Sequence, residues 1–142
     1  MGSKRLPGKS MKILYDNIKL IDYVILNALN SRYIEIKNTY LLTSKENNNK
    51  KLIKYVKNKY KINVIAGSEE NVFSRYIKFE KFDNFPIIRL TADNPLVDPK
   101  LIDEAIKYFK KSKSDYLTTR AMCHSKVWKV KSDYPKGISL EI

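Results

Sequence analysis

The stretch TYLLTSKENNNKKLIKYVKNKYKINVIAG, Thr39–Gly67, carries the clearest structural signal in the chain. It opens on a short β-prone run, Thr39–Thr43, followed by the polar Ser44-Lys45-Glu46. Leu52, Ile53 and Val56 then recur at the spacing of one helical face, which predicts a helix running to about Tyr60. Ile62–Ala66 reads as a second strand closed by Gly67. Strand, helix and strand in so short a span call for two parallel strands joined by a helical crossover.

The alternation extends in both directions. Upstream, Leu20, Ile21, Val24, Ile25, Ala28 and Leu29 place a helix over Lys19–Arg32, while residues 1–10 read as a loop because Gly, Ser and Pro cluster there without a hydrophobic period. Downstream, Val72, Phe73, Tyr76 and Ile77 predict a helix over Glu69–Glu80, and Pro86–Thr91 a strand ending in Ala92-Asp93-Asn94-Pro95. Asp98 is the expected N-cap of the next helix and Pro99 its first residue, where a missing N–H costs nothing. Leu101, Ile102, Ala105, Ile106 and Phe109 form its apolar face. Asp115–Thr118 and Ile138–Ile142 are two further expected strands, separated by a polar loop over 120–137. The whole predicts an α/β fold with a mainly parallel sheet and helices on both faces. Ligands of such sheets sit at the carboxyl ends of strands, which is where Asp93 falls.

The chain has 142 residues, room for one domain, and a net charge of +13. Its 43% hydrophobic content is too high for a chain that stays disordered. No apolar run approaches the ~20 residues of a membrane helix, and the charged N-terminus has no apolar stretch behind it, so no span and no signal peptide are expected and the cytoplasm is the default compartment. A single cysteine, Cys123, excludes an internal disulfide and a cysteine-rich zinc site. The positive charge comes from 23 lysines and only 5 arginines, and with abundant asparagine and isoleucine this composition fits an AT-rich gene. A basic surface favours a nucleotide phosphate or a polyanion. A dedicated nucleic-acid binder, however, would show more arginine with interleaved aromatics.

Gly2-Ser3-Lys4-Arg5-Leu6-Pro7-Gly8-Lys9-Ser10 superficially offers a phosphate-binding loop. Its glycines are one residue too far apart for the Walker pattern, and Pro7 removes a backbone donor. Two glycines and the cations Arg5 and Lys9 nevertheless suit a triphosphate. Asp93, on a turn fixed by Pro95, offers a carboxylate to a hard divalent cation, or else closes that turn itself. Cys123-His124 does not read as a nucleophile and base, because adjacent side chains of an extended segment point to opposite faces. Trp128, among Lys126, Lys129 and Lys131, reads as a loop aromatic anchored on the sheet.

Taken together, Gly2–Lys9, Gly67–Tyr76, Arg89–Asp98, and Pro135-Lys136-Gly137 with Glu141 resemble, in order, the motifs of cytidylyltransferases of the acylneuraminate type, most closely the spore-coat polysaccharide biosynthesis branch. The resemblance implies a Rossmann-like fold of the nucleotide-diphospho-sugar transferase type. It also implies transfer of CMP from CTP to an acidic or modified sugar, with Mg²⁺ and release of pyrophosphate. By position, Arg5 and Lys9 would be catalytic, binding the triphosphate and stabilising the leaving pyrophosphate. Gly2, Ser3, Gly8 and Arg75 would complete the nucleotide site, Asp93 would hold the metal, and Gly137 and Glu141 would face the sugar. A homodimer is part of the same expectation.

Three departures qualify it. Asn71 stands where that branch usually has aspartate. The family's loop follows a strand ending in Ala-Arg just before the methionine with which this chain opens, so the implied domain is partial and lacks its first central strand. The family also continues for roughly another hundred residues. The expectation for these residues alone is an unstable or inactive piece, and a non-catalytic remnant or a basic polyanion-binding module is the alternative. A polyanion binder would lose affinity steeply with salt, whereas a cytidylyltransferase would prefer CTP and need Mg²⁺.

Overall fold

The computed structural model describes residues 6–45, 47–82, 86–119 and 140–142. These fall into two compact units, one from the described residues within 1–19 and 34–85, the other from those within 20–33 and 86–142. The fold class is α/β, as the alternation predicts.

The first unit is built on the crossover read from Thr39–Gly67. Strand β3 (Tyr40–Ser44) pairs in parallel with β4 (Asn63–Gly67), in register from Tyr40 opposite Asn63 to Ser44 opposite Gly67. Helix α2 (Lys50–Tyr60) connects them and packs on β4. Leu52, Val56 and Tyr60, at helical spacing, are buried, with Val56 fully so, and Leu41 and Ile62 complete this core. The register is closed at both ends by backbone bonds, Asn63 N–H to Thr39 O (3.2 Å) and Lys45 N–H to Gly67 O (2.9 Å). Of the three consecutive asparagines, Asn49 is buried and donates from Nδ2 to Ser44 Oγ (2.6 Å), tying the end of β3 to the start of α2. Just ahead of β3, Lys37 pairs with Glu35 at 2.7 Å, and the hydrogen bond and charge of Glu35 raise the pKa of that lysine.

A hairpin that the sequence reading passed over precedes this crossover. Strands β1 (Ile13–Tyr15) and β2 (Ile18–Lys19) are antiparallel, turning on Asp16 and Asn17 at φ 46° and 58°. Both are residue types that tolerate the left-handed region, as a tight hairpin turn requires.

In place of the α-helix expected over Glu69–Glu80, the chain forms two 3-10 segments, Phe73–Arg75 and Ile77–Phe82. Polar side chains explain the change. Ser68 Oγ accepts from Asn71 N–H (3.1 Å), Asn71 Oδ1 accepts from Ser74 N–H (3.0 Å), and Ser74 Oγ donates to Asn71 O (2.7 Å). These local bonds offer the backbone an alternative to the α-helical ladder. Phe79 then meets Tyr40 edge to face, with ring centres 4.9 Å apart.

In the second unit, helix α1 (Leu20–Leu29) packs against α3 (Pro99–Ser112). Ile21, Val24, Ile25 and Ala28 of α1 and Leu101, Ile102, Ala105 and Ile106 of α3 are buried. Asp98 caps α3 as expected, its carboxylate accepting from Lys100 N–H at 2.7 Å, with Pro99 in the first turn. The buried Asp103 anchors the chain after α1 by accepting from Ser31 Oγ (2.6 Å) and Arg32 N–H (2.9 Å). The strand expected over Pro86–Thr91 shortens to β5 (Arg89–Leu90), which pairs antiparallel with β6 (Leu140–Glu141). Leu117 exchanges two backbone bonds of 2.9 Å with Ile142, so the run expected over Asp115–Thr118 contributes an isolated bridge in place of a full strand.

Candidate functional site

The carboxyl ends of β3 and β4 open onto a cleft of about 580 Å³ lined by Lys45, Gly67, Ser68, Glu69 and Glu70. The parallel register puts Ser44 and Gly67 side by side, so residues leaving the two strands are neighbours by construction. One ammonium and two carboxylates therefore border a cleft where α/β sheets place ligands.

Arg75 shapes this edge. Its Nε donates to Ser68 O at 2.9 Å, and a second guanidinium nitrogen reaches the Ser68 and Glu69 carbonyls. The stem of the arginine lies against Gly67 so closely that a Cβ there would sit 2.8 Å from Arg75 Cγ. Glycine is needed at 67 because the arginine occupies the space a side chain would take. Assigned to the nucleotide site by resemblance, Arg75 thus directs donors to the turn that lines the cleft.

Gly8 and Lys9 sit together on the basic turn. Gly8 is left-handed (φ 68°) and immediately precedes a 3-10 turn, Lys9–Met11, closed by Met11 N–H to Gly8 O (3.0 Å) and Lys12 N–H to Lys9 O (3.0 Å). A glycine suits that backbone conformation because the left-handed region costs it nothing. Gly2, Ser3 and Arg5 lie outside the described residues, as do Gly137, Cys123, His124 and Trp128.

Asp93 and Glu141 belong to the second unit. Asp93 is exposed on the turn beyond β5, closed by Asn94 N–H to Thr91 O (3.1 Å). Asn27 Nδ2 donates to Pro95 O at 2.9 Å and fixes the far side of that turn. Among the described residues no group of three or more His, Cys, Asp or Glu converges as a metal cage. Glu141 stands opposite Arg89 in the antiparallel register, and the two form an ion pair.

The sequence reading gave no role to Lys45, Ser68, Glu69, Glu70 and Arg89, although all but Lys45 lie within the motifs quoted above. The first four directly follow predicted strand ends, a placement that could have nominated them. Arg89 acquires its role only through a register between residues 52 apart in the chain.

Comparison with known proteins shows the family of the chain. Residues 1–132 match the sequence profile of the cytidylyltransferase family. The spore coat polysaccharide biosynthesis protein SpsF of Bacillus subtilis is 35% identical over 118 residues, covering 82% of this chain and 49% of that protein. An uncharacterised protein of Methanocaldococcus jannaschii is 35% identical over 124 residues, covering 84% of this chain and 48% of its own length. The chain therefore spans about half the length of the curated relatives it matches. A solved cytidylyltransferase from Leptospira borgpetersenii superposes with a TM-score of 0.75 at 25% identity, over 99% of this chain and 55% of that one.

Proposed function

Because this chain belongs to the cytidylyltransferase family, we propose that it forms the nucleotide-handling part of an enzyme that transfers CMP from CTP to an acidic or modified sugar. The product would feed surface polysaccharide biosynthesis. The observation that carries this reading is the cleft at the carboxyl ends of the parallel pair β3 and β4, on a chain whose residues 1–132 match that family.

In the reaction, a sugar oxygen attacks the α-phosphorus of CTP, the bond from that phosphorus to the bridging oxygen breaks, and pyrophosphate leaves. Charge accumulates on the departing oxygens, so fixed cations lower the barrier. Lys9, presented by the turn that Gly8 allows, supplies one such charge, and Arg5 is assigned the other. Gly2 and Ser3 are assigned by resemblance to the same nucleotide motif. Arg75 acts by holding the Ser68–Glu69 turn at the rim of the cleft. Asp93 is the carboxylate for Mg²⁺, which when bound neutralises triphosphate charge. Glu141, steadied by Arg89, and Gly137 are assigned to the sugar. A homodimer in the cytoplasm belongs to the same reading. No helix among the described residues is long and apolar enough to cross a membrane.

Pyrophosphate release tests the proposal, measured on the full gene product that carries these residues with each nucleoside triphosphate, Mg²⁺ and a panel of sugar acids. Release specific to CTP, abolished by chelation and reduced about 100-fold or more in Lys9→Ala, is the expected result. Equal release from ATP, or activity indifferent to Lys9, would overturn it.

A further inference from the structure

The outer face of α2 is distinct from the cleft. Between Glu46 and Glu69 the sequence contains no acidic residue and six lysines, Lys50, Lys51, Lys54, Lys57, Lys59 and Lys61. All six are exposed. Lys50, Lys54 and Lys57 fall within about 60° of one another around the helix, and Lys61, the left-handed C-cap, continues their line. At the helical rise this row is about 16 Å long. None of Lys50, Lys51, Lys54, Lys57 and Lys61 forms an ion pair among the described residues. Composition alone does not account for the row. The longer helix α3 carries Lys100, Lys107, Lys110 and Lys111 but interleaves Asp103 and Glu104.

We infer that this lysine face docks the protein on an anionic phospholipid surface. Clusters of four to eight basic residues on one helix face bind such surfaces by charge, with no need for a shaped pocket. The apolar face of α2 is consumed internally by Leu52, Val56 and Tyr60, so docking is electrostatic and shallow, without insertion into the acyl layer. A nucleic acid fits less well. The row contains neither arginine nor an aromatic ring, and the nearby Tyr55 ring is covered by Lys19 at 3.9 Å. Base stacking, which gives single-strand binders much of their affinity, has no platform here.

Vesicle flotation of the full chain tests the inference. In about 50 mM salt the protein should float with vesicles of one-third phosphatidylglycerol in phosphatidylcholine, stay behind with pure phosphatidylcholine, and be released by about 300 mM salt. The triple variant K50Q/K54Q/K57Q should bind at least about ten-fold more weakly. The triple variant K107Q/K110Q/K111Q, of equal net charge but altered on α3, should bind as the parent does. The charge-preserving K50R/K54R/K57R should retain binding. Equal loss in both glutamine variants would reduce the effect to net charge and overturn the docking face. So would failure of the unaltered protein to float, or its displacement from vesicles by oligouridylate at matching charge concentration.

Discussion

Gly67 and Arg75 work as one unit at the cleft, because the guanidinium can bond the Ser68 carbonyl only while its stem occupies the space beside a residue without a side chain. Gly67→Ala should destabilise the protein by about 1–2 kcal/mol through overpacking. In the double variant with Arg75→Ala most of that penalty should vanish, since the clashing atoms are gone, leaving a coupling of about 1 kcal/mol in a denaturant cycle. Additive losses would show that the two residues act separately. Asp103 offers a second residue-scale case. Its carboxylate is the acceptor for both Ser31 Oγ and Arg32 N–H, so Asp103→Ala should cost about 2 kcal/mol in chemical denaturation, and Ser31→Ala distinctly less. Neither pair was visible beforehand. The sequence offers no sign that the stem of Arg75 packs over Gly67, or that a helical aspartate serves a loop 71 residues away.

At the scale of elements, the chain's four glycines leave left-handed helix ends to other residues. Lys61 ends α2 at φ 58° and Lys113 ends α3 at φ 53°, positions where glycine is normally favoured. Lys113→Gly should therefore raise stability by about 0.5–1 kcal/mol, while Asp98→Ala at the other end of α3 should lower it by about 1 kcal/mol. Thermal melts of the two variants should move in opposite directions. Periodicity made α1, α2 and α3 legible, because each buries an apolar face whose spacing repeats in the sequence, while β3 and β4 were legible as short β-prone runs on either side of α2. It misled at 69–80, where Val72, Phe73, Tyr76 and Ile77 have helical spacing but Ser68, Asn71 and Ser74 divert the backbone into 3-10 turns. Of these apolar residues Phe73 is 72% exposed, so the period there reported no buried face. The β1–β2 hairpin lacked the Asn-Gly or Asp-Gly pair that marks such turns, and Asp16-Asn17 fills the same positions with weaker preference.

For the whole molecule, the basic turn at Gly8-Lys9 and the cleft at Lys45 and Gly67–Glu70 belong to one unit, whereas the turn of Asp93 and the Arg89–Glu141 pair belong to the other. Gly8, Gly67 and Asp93 could be picked out from the sequence because each stands on a turn or at the end of a strand, and such placements are encoded locally. The pairing of Arg89 with Glu141 is set by tertiary register and was not encoded locally. The proposed function rests on a triphosphate site whose charge is supplied by the turn of Gly8 and Lys9. Calorimetric titration with CTP in the presence of Mg²⁺ examines that claim without requiring the sugar to be known. The full gene product should bind CTP more tightly than UTP, ATP or GTP, and Lys9→Ala should weaken CTP about ten-fold or more while leaving the melting temperature in place. Equal affinity for all four nucleotides, or CTP binding untouched by Lys9→Ala, would contradict the account.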